Sequence, residues 1–274
     1  MDNLRDDGAM PVHERFDPAD PRLAPLRSMT DAAHRRATDA AYGTYVAESL
    51  PVLERAWAAG HRVRSVLIAP RWLQQVEQLI PRTVDIFVGE PDLLAEVTGF
   101  DMHRGVIAVV DRPAPRALDT LLDGRPIVVL ENITDQANIG AIFRNAAALG
   151  AAGVVLTPTT GDPLYRRSIR VSMGTVFQVP WARAASWREL RYTLTAAGYT
   201  TAALALDPRA VELQDYRPEG PVALVLGAEG PGLAPEIISA AQDVVMIPMT
   251  AGVDSLNVAA TSAIALWHLV GARR

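Results

Sequence analysis

Pro126-Ile-Val-Val-Leu130 followed by Glu131-Asn-Ile-Thr-Asp-Gln-Ala-Asn-Ile-Gly-Ala-Ile-Phe-Arg-Asn-Ala-Ala-Ala-Leu-Gly150 decides the fold. The first five residues are an apolar run that reads as a buried strand. The next few are a polar loop, and the rest is an Ala-rich helix that stops at Gly150, where a C-cap glycine is expected. Just inside the helix start stand Asn138, Gly140 and Arg144. Arg144 lies four residues past Gly140, so the two share a helix face. The unit therefore puts a permanent cation at the mouth of a strand-loop-helix turn, the usual place for a ligand crevice in an open α/β sheet.

Working outward, 274 residues suffice for one large domain or two ordinary ones. No apolar run approaches the ~20 residues that span a bilayer. Met1-Asp-Asn-Leu-Arg-Asp-Asp-Gly8 lacks the basic and apolar regions of a secretory signal. Cysteine is absent, which excludes disulfide scaffolds and thiolate metal sites and leads to the expectation of a soluble cytoplasmic protein. The five histidines show no ligand spacing, so no metal is expected.

All 26 basic residues are arginine. Codon bias accounts for most of that usage, yet every cation is a planar fork suited to phosphate. Net charge is −5, which argues against a protein that coats nucleic acid non-specifically. Residues 1–125 carry 15 Arg against 19 acidic residues, and residues 126–274 carry 11 against 12. Any RNA-binding surface must then be a local patch.

Along the chain, residues 1–30 are rich in Asp, Pro and Arg and read as an extended arm, ordered in part at best. Residues 31–112 read as a compact α/β domain. Its strands are Tyr45–Ala47, Arg64–Ala69, Val84–Val88 and Gly105–Val110, with a helix from Ser49 to Ala59 carrying Leu50, Leu53 and Trp57 on one face. The proline- and charge-rich break Asp111–Arg116 opens a linker that occupies 113–125. Residues 126–274 form the second domain. After the helix ending at Gly150, strands are expected at Gly153–Thr157, Val176–Val179, Thr200–Leu206, Val222–Leu226 and Val244–Ile247, near-continuous apolar runs of a covered parallel sheet. Helices are expected over 164–174, from Ser186 to about Ala197, over Pro235–Ala241 and from Leu256 to Val270.

Three loops have compositions that invite chemistry. The first holds Asn138, Gly140 and Arg144. The second is Leu226-Gly-Ala-Glu-Gly-Pro-Gly-Leu233, and the third Ile247-Pro-Met-Thr-Ala-Gly-Val-Asp-Ser-Leu-Asn-Val258. Alone, the second loop is a phosphate cradle or a bare tight turn, since its spacing is not that of a dinucleotide site and Pro231 lacks an amide. Glu229 opposes pyrophosphate but suits an arginine. In the third loop, Asp254 or Ser255 could serve as a plain N-cap for the last helix. Asn257, read as lying within the first turn, is a poor choice for helix stability alone.

Taken together, Asn-x-Gly-x-x-x-Arg, Gly-x-Glu-Gly-x-Gly and Ile-Pro-Met-x(5)-Ser-Leu-Asn-Val resemble the three motifs of the SpoU/TrmH branch of the SPOUT RNA methyltransferases, over about residues 126–270. Upstream, the chain resembles the small L30e/L7Ae-like substrate-binding domain that precedes such catalytic domains. His103-Arg-Gly-Val106 looks like the family's His-Gln-Gly-Val, with Arg104 in place of Gln. Ala47-Glu48-Ser49 stands where Val-Glu-Gly is common.

The resemblance implies an α/β fold whose C-terminal parallel sheet is threaded into a trefoil knot. It implies S-adenosylmethionine held by Leu226, Gly227, Ala228, Gly232, Ile247, Met249, Leu256, Asn257 and Ala259. It further implies a homodimer and methyl transfer to a ribose 2′-hydroxyl of ribosomal or transfer RNA. It assigns removal of the hydroxyl proton to Arg144, helped by the RNA phosphate and Glu229; because arginine is a weak base, Arg144 is read here as positioning the phosphate and hydroxyl, with the base left open. Asn138 and Ser255 would orient Arg144 or the ribose, and Asn257 would lie beside the methionine moiety or the hydroxyl. Arg166, Arg167 and Arg170, at i, i+1 and i+4 of a helix, form a phosphate clamp on this reading or else a solvated face. Arg104 and Arg112 are RNA candidates in the first domain, while His103 is structural. The rival readings are a catalytically silent RNA-binding protein of the same fold and a nucleotide-dependent oxidoreductase built on Gly227–Gly232.

Overall fold

Five strands take up the apolar runs of the N-terminal half: β1 (Val12–His13), β2 (Thr44–Glu48), β3 (Val63–Ile68), β4 (Asp85–Val88) and β5 (Val106–Asp111). They form one sheet in the order β1-β4-β3-β5-β2. The first three of that order run parallel, and β5 is antiparallel to both β3 and β2. The computed structural model describes residues 10–27, 29, 42–250, 252–253 and 255–271. The chain divides into two units, Met1–Pro113 and Ala114–Arg274.

In the first unit, α1 (Leu50–Ala58), α2 (Leu73–Leu79) and α3 (Pro91–Thr98) join the strands. The buried side of α1 is Val52, Leu53 and Ala56, while Trp57 is 37% exposed, so Trp57 is not part of the inward face expected for it. Ser49, just before α1, has φ 96° and ψ 151° and makes no capping hydrogen bond. Glycine enters that region freely and other residues do so under strain.

Within residues 10–29 the N-terminal stretch is packed onto the first sheet rather than arm-like. Val12 pairs with Ile86 on the sheet edge. Leu23, Leu26 and Met29 are at most 1% exposed and pack with Leu67, Phe87 and Leu94. Polar clasps complete the seam: His13 Nε2 lies 2.7 Å from Asp85 Oδ1, and Arg22 donates to both Asp20 and Asp85. The composition is that of a tail, but the apolar residues fall three apart in a 3₁₀ segment, Pro21–Leu26, and share a side. Residues 30–41, where the sequence reading begins the first domain, lie outside the described residues.

The second unit holds β6 (Ile127–Leu130), β7 (Gly153–Leu156), β8 (Trp181–Arg183), β9 (Thr200–Leu204), β10 (Val211–Glu212), β11 (Val222–Leu226) and β12 (Asp243–Met246). All pairings are parallel, in the order β10-β12-β9-β11-β6-β7-β8. The helices are α4 (Gln136–Leu149), α5 (Arg166–Val171), α6 (Trp187–Ala196), α7 (Pro235–Ala240) and α8 (Val258–Gly271). One sheet face, with Ile127, Val129, Val155, Ala203 and Val225, packs on Leu190 and Leu194 of α6 and Ile237 of α7. Elsewhere α4 packs on both α5 and α8.

Three expected elements differ. The apolar run at 176–179 is not a strand. Thr175–Phe177 is a 3₁₀ turn entered through Gly174 at φ 80°, and the pairing strand follows Pro180 as Trp181–Arg183. The helix expected over 164–174 contracts to Arg166–Val171. The last helix opens at Val258, two residues later than expected. Among the described residues, no helix is long and apolar enough to cross a membrane, and no group of three or more His, Cys, Asp or Glu could hold a metal ion.

Candidate active site

The first loop is held by its own cap. Asp135 Oδ1 accepts from the Asn138 amide at 2.9 Å and starts α4, and Gly150 ends it at φ 79°. A Cβ on Gly140 would sit 2.5 Å from the carbonyl oxygen of Ser168, so α5 can approach α4 this closely only over a residue without a side chain. Asn138 is 7% exposed and points inward. Arg144, one turn past Gly140, is exposed.

The second loop is a closed turn. Ala228 and Gly232 form an isolated bridge, with the Gly232 amide donating to Ala228 O at 3.0 Å. Gly230 and Gly232 take φ +85° and +67°, and a Cβ on Gly227 would lie 2.4 Å from the carbonyl carbon of Gly232. The glycines are there because the loop folds against itself. Pro231 stands exposed at its tip. Glu229 is exposed on the turn.

The third loop brings the other two together through one side chain. Asn257 Nδ2 donates to Asn138 Oδ1 at 2.9 Å and to Glu229 Oε1 at 2.5 Å. Its Oδ1 accepts from the amides of Ala259 at 2.9 Å and Ala260 at 3.4 Å, which makes Asn257 the N-cap of α8. This corrects the assignment of Asn257 to the first turn. Ser255 lies three residues before the helix and does not cap it. Asp254 falls outside the described residues.

Between the second and third loops lies a cavity of about 640 Å³. Of the cofactor residues expected from sequence, Leu226, Gly227, Ala228, Gly232, Ile247, Met249, Leu256 and Asn257 line it, together with Glu229 and Ser255. Ala259 does not, and from the same helix Val258 and Thr261 do. Leu204, Ala205 and Leu206, at the end of β9, also line it and were missed. Their signal was topological, because β9 neighbours both β11 and β12. Glu229 is the one charged side chain on this lining among the described residues. A cavity with backbone edges, apolar walls and a single carboxylate fits a cationic ligand and repels pyrophosphate.

Asn138 and Arg144 do not line the cavity. Asn138 joins it through Asn257, while Arg144 stands on α4 outside it. Asn145, which sequence reasoning passed over, donates to Ala259 O at 2.8 Å and Ser262 Oγ at 2.9 Å and so fastens α8 to α4 beside Arg144. Arg167 and Arg170 are exposed on α5 and Arg166 is partly exposed. Arg104 and Arg112 belong to the first unit. Arg112 donates to Thr44 O at 2.9 Å, a structural contact between strand ends.

The SpoU rRNA Methylase family matches residues 125–267. An uncharacterized tRNA/rRNA methyltransferase of Mycobacterium tuberculosis is 35% identical over 262 residues, 94% of this chain and 91% of that protein. A 23S rRNA (guanosine-2′-O-)-methyltransferase of Acinetobacter baylyi is 32% identical over 205 residues, 72% of this chain and 82% of that protein. Among solved structures, an rRNA methyltransferase from Sinorhizobium meliloti with bound AdoMet superposes with a TM-score of 0.79 at 28% identity, covering 96% of this chain and 98% of that one.

Proposed function

From the premise that the chain belongs to the SpoU rRNA methylase family, we propose that it is an S-adenosylmethionine-dependent RNA methyltransferase acting on a ribose 2′-hydroxyl of structured RNA, ribosomal or transfer. The observation that carries this reading is the Asn138–Asn257–Glu229 junction on the lip of the cavity. It joins all three sequence motifs around a pocket whose one lining charge among the described residues is negative. A positively charged sulfonium is drawn to that carboxylate, whereas the phosphates of NAD are repelled. The oxidoreductase reading fails on that point.

When bound, the cofactor supplies an electrophilic methyl group on a sulfonium centre. Leu226, Gly227, Ala228, Gly232, Ile247, Met249 and Leu256 would hold it through backbone groups and apolar side chains. Asn257 has both amide hydrogens and its oxygen engaged, so it holds one orientation at the lip. Glu229 is held with it. Arg144, exposed one turn beyond the buried Gly140, is the guanidinium available to an RNA phosphate, and it positions the 2′-hydroxyl for transfer. A large part of the rate then comes from alignment, since a correctly held hydroxyl is worth many orders of magnitude over a freely diffusing one. Arg166, Arg167 and Arg170 on α5, together with Arg104 in the first unit, extend the phosphate contacts.

Several further features follow from the same reading. The strand order supports a trefoil knot: the chain steps outward from β6 to β8, returns beyond β6 to β9, and ends with α8 back against α4. Four of the five strands of the first unit's mixed sheet fall within 31–112, which supports an L30e-like substrate domain there, joined through 113–125 to the catalytic domain over 126–274. Homodimerisation, with active sites drawn from both copies, and a cytoplasmic location belong to the proposal as well.

The test is to map ribose 2′-O-methyl groups in ribosomal and transfer RNA from a deletion strain and its parent. The purified protein is then given the deletion strain's RNA and labelled S-adenosylmethionine. One methyl site missing in the deletion and restored in the tube is expected. Cofactor binding without any restored methyl group would favour the silent RNA-binding protein instead.

A further inference from the structure

Residues 157–161 make the turn between β7 and α5, and one arginine holds it from outside. Arg183, at the end of the edge strand β8, donates from one terminal nitrogen to Thr157 O at 2.8 Å, Pro158 O at 3.3 Å and Thr160 O at 2.7 Å. Its other terminal nitrogen donates to Gly161 O at 3.2 Å. Desolvation beside these carbonyls lowers its pKa from the ordinary arginine value. Three acceptors share the two hydrogens of one terminal nitrogen, so the longest contact, to Pro158 O at 3.3 Å, is bifurcated; the fourth acceptor is met by the other arm of the planar fork, a second nitrogen that an ammonium lacks.

The inner side of the turn is stitched to the first motif. Thr160 Oγ1 donates to Leu130 O at 2.6 Å and lies 3.1 Å from Thr157 Oγ1, and the Gly161 amide donates to Ile133 O at 2.9 Å. A Cβ on Gly161 would be 2.6 Å from Gln136 Nε2. On the outgoing side, Ser168 Oγ lies 2.5 Å from Gln136 Oε1. The turn thus connects the loop before α4 to the helix that carries Arg166, Arg167 and Arg170.

We infer that Arg183 is a positioning residue for the RNA substrate: by clamping the 157–161 carbonyls it fixes where α5 presents its arginines relative to Arg144. This rests on the methyltransferase reading above. Arg183 is not on the cavity lining. Both of its terminal nitrogens are engaged by carbonyls of the turn, so the work on RNA assigned to it passes through the turn.

Arg183→Lys and Arg183→Ala are assayed for methyl transfer from labelled S-adenosylmethionine to total RNA of the deletion strain. Cofactor affinity is measured by calorimetry and folding by thermal melting. Both variants should raise KM for RNA about tenfold with kcat within about twofold and cofactor affinity unchanged. Lysine should fail to rescue, because one ammonium cannot span four carbonyls. Combined with Arg167→Ala, the KM effects should fall short of their product, as expected for residues acting through one element. A normal KM for Arg183→Lys would overturn the inference in favour of simple charge. So would a joint fall of kcat, cofactor affinity and melting temperature, which would mark general destabilisation. Wild-type protein that transfers no methyl group would overturn the methyltransferase reading instead, and the inference with it.

Discussion

Asn257 Nδ2 donates to Asn138 Oδ1 at 2.9 Å across a separation of 119 residues, while Asn257 Oδ1 caps α8. The amide is thus shared between tertiary closure and local helix stability. Substitution can separate the two. Asn257→Asp keeps a cap acceptor but replaces the donor with a carboxylate facing Glu229. Asn257→Ala removes both, and the lost cap alone costs about 1 kcal/mol. Methyl transfer should fall by roughly a hundredfold or more in both, on the scale of losing one preorganised contact. The Asp variant should melt closer to wild type than the Ala variant; the reverse order would sink the cap assignment.

Arg144→Ala should abolish methyl transfer while leaving S-adenosylmethionine affinity within about twofold, because Arg144 lies off the cavity lining. Calorimetry and a single-turnover assay on the same preparation decide it. Loss of cofactor binding would move Arg144 into the pocket.

Gly140→Ala and Gly227→Ala should fail differently. The first drives a methyl group into the Ser168 carbonyl at a helix-helix contact and should lower stability by roughly 1–3 kcal/mol, as overpacking does. The second forces open the 227–232 turn and should abolish cofactor binding with a smaller change in melting temperature. Denaturant melts and calorimetry separate the two outcomes.

Ser49→Gly should stabilise the protein. Ser49 sits at φ 96° with a buried hydroxyl that has no hydrogen-bond partner. Glycine relieves a strain of order 1–3 kcal/mol against about 1 kcal/mol of added chain entropy, so a net gain of about 1 kcal/mol is expected from denaturant melts. An unchanged or lower midpoint would show that the strain is offset locally.

Acid should loosen the N-terminal seam first. The Arg22 side chain, by hydrogen bonding, holds the Asp20 carboxyl at about 2, below its usual 3.8. A depressed carboxyl contributes stability present above its unfolded value and lost as pH falls through the folded one. The window is therefore pH 4 down to 2. The gain is small because Asp20 and Arg22 meet at the surface. Hydrogen exchange at Leu23 and Leu26 should rise across that window in wild type and be high already in Asp20→Asn.

Much of the catalytic unit was legible because its strands are short apolar runs and its helices carry written caps, such as Gly150 for α4 and Ser186 for α6. What failed has physical causes. An apolar run such as 176–179 cannot be told from a buried turn by periodicity, and only pairing with β7 selects Trp181–Arg183 instead. Two-residue strands such as Val12–His13 and Val211–Glu212 have no period to read. Asn257 was read as intrahelical although asparagine is among the best N-caps, so the signal was present and passed over. The loops of the site were visible as motifs. That Arg144 stands outside the cavity and Asn257 at its lip was not, since both depend on how α8 returns to α4.

That return has a consequence for synthesis. The cavity is lined by β9, β11, β12 and the first turns of α8, all drawn from the last third of the chain, and Asn138 waits for a partner made 119 residues later. Contacts of such long separation close slowly. On the proposed reading, a chain still emerging from the ribosome owns Asn138, Arg144 and the α5 arginines but has no finished pocket, so it would meet RNA before it can hold the methyl donor. Donor affinity is then the last property the protein acquires, and the one that reports whether it has finished folding.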